Sequence, residues 1–184
     1  LLAIGLMSVS LPHVLSQDLT LGSPFTDHMV LQRDQPVPVW GTSKPGTVVL
    51  VRFAGQGKRA VSDEAGKWQL SLDPIEGSAK GTKFTVLAES GGEITLTDVV
   101  VGEVWICSGQ SNMQMGRSAI PELKSLSEDN LRTFEVKRTV AFTEQDRVEG
   151  KWAVAGPNSA VAFGFAHNLA KQTDVPVGIL LACW

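Results

Sequence analysis

Hydrophobic and polar positions along the 184-residue chain follow two rules, and the rule changes near residue 98. Before that point apolar residues alternate with polar ones over short runs. Val37 and Val39 alternate with prolines, which suits an edge strand where a missing N–H does no harm. Thr47 through Phe53 is rich in β-branched residues. Trp68, Leu70 and Leu72 point one way and Gln69 and Ser71 the other, a pattern repeated by Phe84, Val86 and Ala88 and again by Ile94 and Leu96. Turn signals at Lys44-Pro45-Gly46, Ser62 to Gly66, Asp73-Pro74 and Gly91-Gly92 separate these runs. Short strands at this spacing predict a small all-β sandwich over residues 18–97.

From Asp98 the alternation stops. Val99 to Cys107 is a continuous apolar run of buried-strand type, and Pro121 to Glu128 suits a short helix. Leu131, Phe134 and Val136 suggest a second strand, and Gly150 to Val154 an extended piece. Asn158-Ser159 can cap a helix with Val161, Phe165 and Leu169 on its apolar face. Val175 to Ala182 is another continuous apolar run. Strand, helix and strand without alternation predict parallel βαβ units over residues 98–184, so the fold class is α/β behind an all-β sandwich. The chain stops at Trp184 on such a strand, which predicts an open apolar sheet edge and a C-terminally truncated fold.

Composition narrows the function classes. With 43% hydrophobic residues the chain can build a core. Its net charge of -3 and scattered basic residues, of which Lys58-Arg59 reads as solvated surface, argue against nucleic acid as a partner. The apolar start Leu1 to Met7, broken at Pro12 and followed by Val14-x-Ser16 before Gln17, has the proportions of a secretory leader over residues 1–17. The run is too short to span a bilayer, so the expectation is an exported protein with no membrane association after cleavage. Cys107 and Cys183 lie late in apolar runs and read as buried small hydrophobes rather than nucleophiles or a disulfide framework. Three dispersed histidines and two strand cysteines show no ligand spacing, so neither metal nor cofactor is expected.

The candidate chemistry lies where the run Val99 to Cys107 breaks into Ser108-Gly109-Gln110-Ser111-Asn112-Met113. Ligands collect outside the carboxyl ends of strands in open α/β sheets. Ser111 stands there either as a nucleophile or, with Asn112, as the N-cap of an ordinary strand-to-helix turn. Met113 occupies the second glycine position of a Gly-x-Ser-x-Gly elbow, which excludes that motif. The string Val104 to Met113 resembles the first block of the SGNH hydrolases, in the Gly-Gln-Ser-Asn-Met version typical of sialate O-acetylesterases. Pro24-Phe25, Asp27 to Gln32 and Pro36 to Gly41 resemble the opening of the same esterases, and Val175 to Leu180 is similar to the strand before their second block.

That resemblance implies an SGNH-type, flavodoxin-like three-layer α/β/α domain beginning at residue 98. It implies a serine esterase acting on O-acetylated sugars, sialic acid or a related glycan, with Ser111 as nucleophile and its backbone N–H as one oxyanion donor. Gln110 and Asn112 become pocket candidates. The family's base and orienting acid come from an Asp-x-x-His motif, but the residues three before His13, His28 and His167 are Ser10, Phe25 and Gly164. The second-block glycine and third-block asparagine would also lie past Trp184, so residues 1–184 alone are expected to be inactive. His28 beside Asp27 makes a poor dyad on extended backbone, and His167 reads as a surface histidine. Trp40, Trp68, Trp105 and Trp152 have apolar neighbours and are expected mostly in the core. Two rival readings remain: another SGNH carbohydrate esterase such as an acetylxylan esterase, and a non-catalytic sugar-binding sandwich module.

Overall fold

A computed structural model describes residues 19–184, so the leader expected over residues 1–17 lies outside the described residues. The elements are β1 (Thr20–Leu21), β2 (Val30–Gln32), β3 (Val37–Thr42), β4 (Val48–Phe53), β5 (Gln56–Val61), β6 (Lys67–Leu72), β7 (Ser78–Ala88), β8 (Glu93–Gly109), α1 (Ser111–Gln114), β9 (Leu131–Glu135), β10 (Trp152–Ala153), α2 (Ala160–Thr173) and β11 (Val177–Cys183). β1, β3 and β6 form a three-stranded antiparallel sheet. The second sheet runs β10-β9-β11-β8-β7-β4-β5, with β2 beside β8. Val37, Val39, Trp68 and Leu72 of the small sheet share one core with Val49, Val51, Phe84, Val86 and Val99 of the large one. Each such large side chain removed from water contributes about 1.5–3 kcal/mol. Pro38 is accommodated because β1 reaches only Gly41 and Thr42, leaving the earlier part of β3 with one neighbour.

β8 is the spine of the molecule. Its first part pairs antiparallel with β7, residues 100–102 pair parallel with β2, and residues 103–109 pair parallel with β11. One continuous strand therefore crosses the position where the hydrophobic pattern changes. β9, α2 and β11 make the expected parallel βαβ unit, with β11 between β9 and β8. The whole is a mixed α/β structure.

Several expectations need correction. Val177 to Ala182 is no open edge: it is paired on both sides, with Val177, Ile179 and Leu181 buried under α2. Among the described residues, the unpaired side is that of β8 residues 103–109 facing away from β11, where Ile106 is 74% exposed. Pro121 to Glu128 forms no α-helix, only a 3-10 turn at Pro121–Leu123 after another at Arg117–Ala119. Ser127 Oγ instead accepts the Asp129 N–H at 3.0 Å, a local bond that competes with helix. α2 is capped by Ser159, whose hydroxyl accepts from the Ala162 N–H. Its buried face, however, is Ala162, Phe163, Ala166 and His167, while Val161 and Phe165 are exposed. Small alanines let the helix approach the sheet closely, and that outweighs the larger stripe. Trp68 and Trp152 are core residues as expected, whereas Trp40 and Trp105 are exposed. The strand β5 follows β4 through Ala54-Gly55, a two-residue hairpin turn with φ of 47° and 78°.

Candidate active site

The parallel strands β9, β11 and β8 end on the same side, and Ser111 follows the carboxyl end of β8 by two residues. Gly109 makes the exit: its φ is +146°, a conformation L side chains rarely adopt, and a Cβ there would meet the Met113 Cβ at 3.4 Å. The exit is also held laterally. Ser108 Oγ donates to Ala182 O at 2.7 Å, and the Trp184 N–H donates to Gly109 O at 2.9 Å.

After Gly109 the chain makes the single turn α1. Gln110, and neither Ser111 nor Asn112, occupies the N-cap position, and it makes no side-chain capping bond. The Ser111 hydroxyl is therefore not spent on a cap. Ser111, Gln110 and Asn112 are all exposed, and the Ser111 N–H lies in a first turn where backbone donors have no intrahelical acceptor. The three predicted site residues thus lie together at the sheet's carboxyl end.

Residues distant in sequence fix this turn from behind. Ser159 Oγ donates to Met113 Sδ at 3.3 Å, and the Ala160 N–H donates to Met115 O at 2.7 Å. The Arg117 N–H reaches Asn158 O at 2.8 Å. The Arg117 guanidinium lies over the Phe163 ring at 3.7 Å and pairs with Glu128, whose other oxygen accepts from the Gly156 N–H at 2.9 Å. The hydrogen bond from Arg117 holds the Glu128 carboxyl below its ordinary range. None of these partners was foreseen, because each contact joins residues 11 to 46 positions apart with no motif linking them.

The described histidines are engaged elsewhere. His28 Nδ1 is 2.8 Å from Asp98 Oδ2, and Asp27 instead accepts from Thr97, so the adjacent pair indeed makes no dyad. Asp98 lies eleven residues before Gly109, roughly 35 Å along an extended strand. Arg132 completes that cluster through Asp98 Oδ1 at 3.1 Å and the carbonyls of His28 and Asp98. His167 corrects the surface expectation. It is only 7% exposed, with Nδ1 3.0 Å from Ser127 O and its ring stacked on Phe163. Cys107 is half-buried and burial pushes its thiol up, away from a reactive thiolate. Among the described residues, no three of His, Cys, Asp or Glu are grouped to hold a metal ion, and no helix is long and apolar enough to cross a membrane.

Comparison with known proteins relates the chain to carbohydrate esterases. The chain is 31% identical to mouse sialate O-acetylesterase over 189 residues, covering 86% of this chain and 34% of that protein. The human sialate O-acetylesterase is 28% identical over 220 residues, covering 100% of this chain and 41% of its own. Among solved structures, a carbohydrate acetylesterase from Xanthomonas citri superposes with a TM-score of 0.83 at 33% identity, covering 90% of this chain and 40% of that one. No protein-family model matches. The chain spans about two-fifths or less of the length of these relatives. It is related to the sialate O-acetylesterases and carbohydrate acetylesterases, and shares the fold of the latter over its described length.

Proposed function

We propose that the protein carrying this chain is an exported serine esterase that removes O-acetyl groups from sialic acids, with Ser111 as its nucleophile. The observation that carries the reading is the position of Ser111: exposed, free of capping duty, and set just past the carboxyl end of a parallel strand. The relationship to carbohydrate acetylesterases supports the reaction class. The identity to sialate O-acetylesterases favours sialic acid as the acetylated sugar.

In this reading Ser111 Oγ attacks the acetyl carbonyl while an imidazole takes its proton, and the tetrahedral oxyanion is met by the Ser111 N–H. Collapse expels the sugar hydroxyl and leaves an acetyl-serine, which water then hydrolyses. The imidazole and its orienting carboxylate are supplied by residues outside 19–184. Gln110 and Asn112 flank the nucleophile and line the sugar's approach.

The experiment is a Ser111→Ala substitution in the longer protein, assayed on 4-nitrophenyl acetate, O-acetylated sialic acid and acetylated xylan. Loss of a serine nucleophile costs several orders of magnitude in turnover. Retention of most turnover by the variant would move the nucleophile elsewhere. Release of acetate from xylan but not from sialic acid would keep the mechanism and change the substrate.

A further inference from the structure

Trp40 faces outward from β3, 38% exposed, and lies opposite Gln69 across the β3–β6 ladder. Its indole lies against the Gly22 backbone: a Cβ at position 22 would fall 2.4 Å from Trp40 Nε1 and 2.7 Å from Cε2. Only glycine leaves room for it. Phe25 braces the same indole edge-on, with ring centroids 4.8 Å apart. The exposed aromatic is therefore held in place by the buried structure around it. It forms one wall of a cavity of about 620 Å³, within the size range of small-molecule sites.

The rest of the lining mixes apolar residues, Leu21 and Val61 among them, with a polar set balanced in charge. Gln69, Lys67, Asp63, Asp146 and Arg147 line it with Thr42. Lys67 and Asp146 pair at 3.5 Å, and Arg147 reaches across to Leu21 O at 3.3 Å. Asp63 Oδ1 accepts the Ala65 and Lys67 N–H groups, which fixes this carboxylate in the lining. With Lys67 paired to Asp146, and Arg147 and Asp63 cancelling in net charge, the lining favours no charged ligand. A fixed aromatic face beside an amide and a carboxylate instead suits pyranose rings, whose axial C–H groups pack on the ring while their hydroxyls both donate and accept.

We propose that this cavity is a second saccharide site, which takes a neutral oligosaccharide chain and shares no residue with the turn that bears Ser111. The site would hold the glycan without acting on it, and it does not depend on the esterase reading.

The test is calorimetric titration of the full chain with unacetylated xylohexaose and cellohexaose, which offer no ester to Ser111. Binding in the millimolar range or tighter is expected for one of them. Trp40→Ala should weaken it at least about tenfold, and Gln69→Ala should weaken it on an exposed side chain that leaves the fold alone. Trp40→Phe, which keeps an aromatic on Gly22, should restore part of the loss and controls for folding. Absence of binding by both sugars, or affinity left unchanged from the unsubstituted protein by Trp40→Ala and Gln69→Ala, would overturn the proposal.

Discussion

The Arg117 guanidinium lies 3.7 Å above the ring of Phe163, and so joins the segment after Ser111 to the buried face of α2. The Arg117 side chain is mostly buried, while that of its partner Glu128 is half-exposed. Arg117→Ala should cost about 1–2 kcal/mol, from a cation–π contact and a partly screened ion pair. Urea unfolding measures the total. Hydrogen exchange should locate the loosening at Met113 to Ile120, with the β3–β6 ladder unaffected. Arg117→Lys keeps the charge but loses the planar stacking, and should recover only part of the loss.

Acid should weaken the molecule through Asp98. Burial raises its pKa, but hydrogen bonds from His28 and Arg132 outweigh this and leave the carboxyl below its ordinary value. A lowered folded-state pKa stabilises above the unfolded value and is lost as pH falls through the folded one. The contribution of Asp98 therefore disappears below about pH 4. In Asp98→Asn, stability at neutral pH should be lower and the acid limb flatter, as read from denaturation midpoints across that range. An acid limb as steep as in the unchanged protein would place the titrating group elsewhere.

What could be read from the sequence was set by local period. Trp68, Leu70 and Leu72 announce a half-buried strand because alternation depends only on neighbours, and Val99 to Val101 announce a strand covered on both faces. Ser159 was legible as a cap for the same reason, and Ser111 as the end of a strand. The face of α2 was not, because Ala162 and Ala166 weigh little in an apolar stripe yet permit the closest approach to the sheet. Nor was the exposure of Trp40, which depends on how Gly22 and Phe25 meet it across the sheet. The clamp of Arg117, Glu128 and Ser159 on the Ser111 turn exists only once the βαβ unit has closed.

The turn that escaped the sequence reading offers a stabilising change. Ala54 holds φ of 47° and Gly55 of 78°, the two positive angles of a type I′ hairpin turn. Alanine in the left-handed region costs roughly 1 kcal/mol, and asparagine tolerates it better. Ala54→Asn should therefore raise stability by about 0.5–1 kcal/mol, seen as an increase of a few degrees in Tm. An unchanged or lower Tm would show that the side chain at 54 is fixed by something besides the turn.

The 184-residue chain by itself should hydrolyse 4-nitrophenyl acetate no faster than its Ser111→Ala variant. A serine hydroxyl needs a base at hydrogen-bond distance, and such a base is worth about 10²–10⁴ in rate. His28 is held by Asp98, eleven residues before Gly109 on β8, and His167 is buried against Phe163 with its Nδ1 on Ser127 O. Moving either one to Ser111 would break a hydrogen bond, and moving His167 would also uncover core. The first would also have to cross most of a strand. The comparison needs both proteins folded, which the shared burial of β11 between β8 and β9 favours. Turnover by the unchanged chain well above that of the variant would mean a base inside these residues. His13→Gln, His28→Gln and His167→Gln would then show which one reaches the serine.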